Sequence, residues 1–161
     1  MANKDSGNLH AIDLPAEIKE GWGITNTDKE LIISDGSSTL YFIQANSSNL
    51  TDFKVVRSIE VKENNKTYSY LNELEYSNGY IFANVFLSNE ILIIDPKDGD
   101  IKKIIDFSLL TRFEKSINNG ADIDVLNGIA FDKKHDRFYI TGKHWSHIYY
   151  VKLKSDIKNI K

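Results

Sequence analysis

Apolar residues along this chain come in short runs rather than in helical stripes. Leu31-Ile32-Ile33, Leu40-Tyr41-Phe42-Ile43 and Val55-Val56 with Ile59 are β-branched or aromatic, and turn residues separate them, most clearly Ser34-Asp35-Gly36-Ser37-Ser38. The same texture returns at residues 80–86, 90–94, 101–105, 125–131, 137–140 and 148–153. Asp95-Pro96-Lys97-Asp98-Gly99 reads as a hairpin loop, because Pro96 pre-sets φ and Gly99 can take a positive one. Ser77-Asn78-Gly79 reads as a tight turn, since Asn-Gly suits type I′. One stretch has helical character: residues 108–116, with Ser108 as a candidate cap and Asn118-Asn119-Gly120 as the stop. The pattern as a whole is mostly antiparallel β.

The runs repeat. Glu20-Gly21-Trp22-Gly23-Ile24-Thr25, Leu71-Asn72-Glu73-Leu74-Glu75-Tyr76 and Leu126-Asn127-Gly128-Ile129-Ala130-Phe131 can be laid over one another. Trp22 and Asn72 stand 50 residues apart, Asn72 and Asn127 stand 55 apart, and similar strands follow each opening segment. Four short strands at a period near 50 residues suit a β-propeller blade. A sandwich gives similar strands but need not repeat in this register. The expected fold class is therefore all-β, a β-propeller, with about three four-stranded blades in one partial domain over residues 1–161. The blade units are roughly 20–61, 71–106 and 125–153, and residues 9–14 are a candidate strand of a preceding blade. The third unit stops after three strands, so three blades in an open arc would leave unpaired edges, a route to self-association.

Composition narrows the function. A 41% hydrophobic and 27% charged chain of 161 residues is of globular type. Lys and Arg number 20 against 23 Asp and Glu, so no basic excess points to nucleic acid. The lysines at 152, 154, 158 and 161 read as solvated tail. Cysteine is absent, which removes disulfides, thiolate zinc sites and thiol nucleophiles. That fits a cytosolic protein, and equally a secreted one whose core needs no disulfide. No run of 18 apolar residues suggests a membrane span, and residues 1–8 lack a signal-peptide core, so the compartment stays open. Three Asn-X-Ser/Thr sequons, at Asn46, Asn49 and Asn65, carry little weight in an Asn-rich chain.

In a propeller the innermost strands line the channel, so the polar residues of the three opening segments converge there. Trp22, Asn72, Glu73 and Asn127 form that set, with Asp35, Asn84 and Lys143 on the following strands or their ends. Together they offer an indole N–H, amides, carboxylates and an ammonium to a small polar ligand. Read alone, each has a plainer role: Trp22 in a blade interface, the asparagines in turn backbone, Lys143 on the surface. His144 and His147 would face opposite sides of a strand and so would not share a metal. The Asp95–Gly99 run lacks the later ligand positions of a calcium loop.

The motifs nevertheless resemble one family closely. Glu20-Gly21-Trp22-Gly23-Ile24-Thr25, Ser34-Asp35-Gly36-Ser37-Ser38-Thr39-Leu40, Leu71-Asn72-Glu73-Leu74-Glu75, Ala83-Asn84-Val85, Ile93-Ile94-Asp95-Pro96, Asp124-Val125-Leu126-Asn127-Gly128-Ile129-Ala130 and Ile140-Thr141-Gly142-Lys143-His144-Trp145 are similar, in this order, to the glutamine cyclotransferases of plant and bacterial type. The similarity runs from about Glu20 to Leu153, with an insertion-like stretch at residues 45–51.

The resemblance implies a five-bladed propeller of which this chain covers the C-terminal three blades. It implies an aminoacyltransferase that converts the N-terminal glutamine of peptides and proteins to pyroglutamate, releasing ammonia, with no metal and no cofactor. Its partners would be substrates with N-terminal glutamine, not nucleic acid or membrane, and full-length members are often secretory or periplasmic. By resemblance Lys143 and Asn72 are the catalytic positions, and Trp22, Phe86 and Glu73 line the substrate site. Two departures are visible. Phe86 stands where the family usually has tryptophan, which keeps a ring and loses an N–H donor. The family's proton-transfer glutamate lies in a blade upstream of the Glu-Gly-Trp-Gly motif, and Glu20 and Glu73 do not occupy its motif. The alternative reading is a catalytically inactive propeller piece that binds peptides or serves as an interaction module.

Overall fold

Buried apolar runs that alternate sides need cover on both faces, and the architecture supplies it. The structure is a computed structural model and describes residues 11–46, 49–118 and 122–153. Three antiparallel meanders follow one another. The first contains β1 (Gly23–Asn26), β2 (Leu31–Ser34), β3 (Thr39–Asn46) and β4 (Asn49–Glu60), paired in that order. A small hairpin, β5 (Lys62–Glu63) with β6 (Lys66–Thr67), leads to the second. This contains β7 (Leu71–Ser77), β8 (Tyr80–Val85), β9 (Glu90–Ile94) and β10 (Ile101–Asp106). Helix α1 (Ser108–Ile117) then connects to the third, made of β11 (Leu126–Asp132), β12 (Arg137–Gly142) and β13 (Tyr149–Val151). The fold is propeller-like: β1 packs against β7, and β7 against β11, so the first strand of each sheet stands innermost.

The period of two explains the packing. Along β8, Ile81 and Ala83 point to one side and Phe82 to the other; along β9, Leu92 and Ile94 oppose Ile91 and Ile93. One set joins Ile32, Leu40, Phe42, Ile59 and Val61 in a core between the first and second sheets. The other set joins Leu126, Phe138 and Ile140 in a core between the second and third. Burying one such side chain contributes about 1.5–3 kcal/mol. The remaining face of the first sheet is covered in part by the segment before it, where Ile18 packs on Ile33 and Ile43.

The turns follow the residue chemistry. Asn78 and Gly79 take φ of 53° and 85°, the two positive values of a type I′ turn between β7 and β8. Gly99 takes 81° and closes the loop from Asp95, its N–H donating to the Asp95 carbonyl at 3.0 Å. Arg57 ties that loop to the first sheet by donating to the Pro96 carbonyl at 2.7 Å while pairing with Glu30 at 3.1 Å.

Several details differ from the sequence reading. Residues 11–14 carry no strand, and residues 9 and 10 lie outside the described residues, as do residues 47–48 of the first sequon and the lysines at 154, 158 and 161. The insertion-like stretch continues the β3–β4 hairpin, the backbone running as strand to Asn46 and again from Asn49. Ser108 is not the helix cap: Phe107 occupies that position without a side-chain bond, and the Asp106 carboxylate accepts the Ser108 N–H at 2.7 Å. The Ser108 bonds hold Asp106 below the usual carboxylate range.

Candidate active site

Two positions recur in every sheet at one end of the innermost strands. The residue before the first strand is Trp22, Tyr70 or Val125; the residue after the second is Asp35, Phe86 or Lys143. Backbone bonds close these ends together: Trp22 N–H to Ser34 O at 2.9 Å, Phe86 N–H to Tyr70 O at 2.8 Å, Lys143 N–H to Val125 O at 2.9 Å. The register therefore corrects the alignment of the opening segments. Trp22 corresponds to Tyr70 and Val125, not to Asn72 and Asn127. The reason is a β-bulge in β7 between Leu71 and Leu74 and another in β11 between Leu126 and Ile129, whereas β1 pairs with β2 without a shift. Asn72 with Glu73, and Asn127 with Gly128, each oppose a single residue of the next strand, a widening that the first sheet lacks.

Three side chains from three sheets meet at this end. The Trp22 and Phe86 rings stand edge to face with centroids 5.8 Å apart, and the Lys143 ammonium lies 4.9 Å from the Phe86 centroid. Gly36 makes room for the indole, since a Cβ there would fall about 2.6 Å from the Trp22 ring. The indole N–H donates to Glu20 Oε1 at 2.7 Å, so Trp22 offers its faces rather than its donor. Asp35 holds the equivalent place in the first sheet, but its loop uses it: it accepts from Ser37 N–H at 3.0 Å and from the Tyr41 hydroxyl at 3.2 Å. Burial and then Asp35 itself push the Tyr41 hydroxyl up from its ordinary value.

Below this rim the bulges stitch the sheets. Asn72 is buried, and its carbonyl accepts from the Ser34 hydroxyl at 2.7 Å. Gly23 lies so close to that carbonyl that any side chain would enter it. Glu73, next in the bulge, shares with Trp22, Leu14 and Ile33 a groove of about 270 Å³. At the next junction the Asn84 side-chain Oδ1 accepts the Gly128 N–H at 3.2 Å, leaving Asn84 Nδ2 and Asn127 Oδ1 buried without a protein partner. Trp22, Phe86 and Lys143 are thus in contact, Glu73 flanks Trp22, Asn72 adjoins Glu73, and Asn84 with Asn127 lies at the second-to-third junction.

Residues 143–148 form the turn that leads into β13, and that turn carries both histidines. They still diverge, His144 Nδ1 toward the Asp122 carbonyl at 3.3 Å and His147 Nδ1 toward Glu114 at 3.1 Å. No cluster of three or more metal-ligating side chains occurs among the described residues, and none of their helices is long and apolar enough to cross a membrane. Glu114 and Tyr70 were missed in the sequence. Tyr70 would have emerged from aligning the strand ends instead of the motifs; Glu114 sits in a helix with no motif around it.

Comparison with known proteins decides the family. The model of the glutamine cyclotransferase family matches residues 1–153. The chain belongs to that family. A glutaminyl-peptide cyclotransferase of Arabidopsis thaliana is 44% identical over 138 residues, which is 85% of this chain and 41% of that protein. The crystal structure of the Myxococcus xanthus glutaminyl cyclase superposes with a TM-score of 0.73 at 36% identity, covering 84% of this chain and 56% of that one. The chain therefore spans about two fifths of the curated relative and just over half of the solved one.

Proposed function

We propose that this chain acts as a glutaminyl-peptide cyclotransferase, turning the N-terminal glutamine of a peptide or protein into pyroglutamate. The observation that carries the reading is the contact of Trp22, Phe86 and Lys143, drawn from three sheets to one end of the inner strands. The reaction is intramolecular: the α-amine attacks the γ-carbonyl carbon, the new C–N bond closes a five-membered ring, a proton passes from the amine to the carboxamide nitrogen, and the carbon–nitrogen bond to that group breaks to release ammonia. Holding the glutamine folded back supplies much of the rate. In this reading the Trp22 and Phe86 rings wall the glutamine chain and Asn72 orients it. Lys143 stabilises negative charge and assists the leaving nitrogen, and Glu73 braces the floor. Incubation with a Gln-initiated peptide should release ammonia with the matching mass loss. Turnover that persists in Lys143→Ala combined with Asn72→Ala would sink the site assignment.

A second reading is favoured by two donors that this site does not present: Phe86 has none, and the Trp22 N–H is taken by Glu20. It holds that the chain binds Gln-initiated peptides without cyclising them. Saturable heat in a calorimetric titration, with no ammonia, distinguishes it. We also propose self-association with a second copy through the outer faces of the first and third sheets, the first of which the preceding segment covers only in part.

A further inference from the structure

Helix α1 turns an unusual face inward. Its buried residues are Thr111 and Glu114, and Glu114 has no exposed surface at all. The Glu114 carboxylate accepts the Ser146 N–H at 2.8 Å and the Asn118 amide at 2.7 Å, faces His147 Nδ1 at 3.1 Å, and takes the Tyr149 hydroxyl. Burial alone would push its pKa up, but the bonds from Tyr149, Ser146 and Asn118 outweigh it and hold the carboxyl below its usual range. A carboxylate so fully supplied with donors is a fixed point of the fold.

Three of those donors belong to one short segment, residues 146–149, which follows Lys143 directly. The near end of the turn is fixed too. Lys143 exchanges backbone bonds with Asp124 and Val125, at 3.0 and 2.9 Å. The Trp145 indole donates to the Asp124 carbonyl at 2.9 Å, lies on Gly142, and meets the Tyr149 ring at 6.0 Å. The exposed Lys143 side chain extends from this braced turn to Phe86.

We propose that Glu114 is a positioning residue, which holds the 143–149 turn so that the Lys143 ammonium stays over Phe86 beside Trp22. Its effect on turnover rests on the cyclotransferase reading; its effect on the placement of Lys143 does not. The test therefore has two arms. Lysines are dimethylated with ¹³C-formaldehyde, and the Lys143 resonance is assigned by its loss in Lys143→Arg. Over the Phe86 ring, that resonance is displaced upfield in the wild-type chain. Glu114→Ala abolishes the displacement and lowers kcat/KM on a Gln-initiated peptide by about 10- to 100-fold, mainly through kcat. Glu114→Gln, which keeps an acceptor, restores part of both. If Glu114→Ala fails to fold, Tyr149→Phe, which removes one donor, carries the test with a partial loss. A signal displaced as far as in the wild type in either folded variant overturns the proposal, as does the absence of a displacement from the wild type. Unchanged kcat/KM in an active chain whose Lys143 signal has moved also overturns it. A chain that turns over no Gln-initiated peptide fails the cyclotransferase reading, while the resonance still decides the role of Glu114.

Discussion

A methyl group at Gly36 would enter the Trp22 indole, and the φ of 78° there is one that side chains rarely adopt. Gly36→Ala should therefore cost about 1–3 kcal/mol and move the indole away from Phe86. Thermal melts would report the loss, and tryptophan emission would report the displacement. Glu75 offers a test of opposite sign. Burial between the second and third sheets pushes its carboxyl above the ordinary value, against the pull of the Phe131 N–H at 3.1 Å. A raised carboxyl contributes stability while protonated and loses it as pH rises through its folded value. Glu75→Gln keeps the acceptor for Phe131 and removes the charge, so it should raise Tm at pH 7. The gain should shrink to nothing below about pH 4, where the unfolded carboxyl is also neutral. An unchanged gain across that range would deny the charge its part.

At the scale of elements, α1 behaves the other way. The Glu114 carboxyl is held below its usual range, so its contribution is present above the unfolded value and is lost as pH falls through the folded one. Hydrogen exchange along α1 should accelerate in acid before the two cores open, and Glu114→Gln should narrow the difference between acid and neutral pH. The sequence showed where this helix lies but not how it faces. Leu109, Phe113 and Ile117 are spaced as an apolar stripe, yet all three are exposed and Thr111 and Glu114 point inward. The partners of Glu114 lie 32 to 35 residues away, at Ser146, His147 and Tyr149, beyond the reach of any local period. Strands were easier to read, since runs such as Ile91-Leu92-Ile93-Ile94 need cover on both faces and so announce stacked sheets. Ile93→Ala, in the core between second and third sheets, should lower stability by about 2–5 kcal/mol in denaturant titrations. Motifs alone pick out Trp22, Phe86 and Lys143, which the fold brings to one end of the inner strands, whereas they hide the offset of Asn72 from Trp22, because a bulge leaves no mark in an apolar pattern.

For the whole molecule, the stacking that buries both faces of the second sheet stops at its neighbours. The first sheet shows Ile24 at 58% exposure beside an apolar hollow of about 170 Å³ lined by Leu31, Ile33, Ile43 and Phe53. The third shows Ile148 at 71% and Tyr150 at 64%, with β13 as its outer strand. Apolar faces joined to open strand edges favour association, and a net charge of −3 opposes it little. A second copy brings the same kind of surface, a sheet face with exposed β-branched and aromatic side chains, and so can cover what the described residues leave bare. Light scattering at micromolar concentration should then report a mass above the 18.4 kDa of one chain. Ile24→Lys with Tyr150→Lys should return it toward one chain, because each ammonium would have to be buried without a partner. Ile24 lines the groove shared by Trp22 and Glu73, so Tyr150→Lys by itself is the change that separates association from the rim. A wild-type chain that scatters as a monomer would show that these faces are stable in water as they stand.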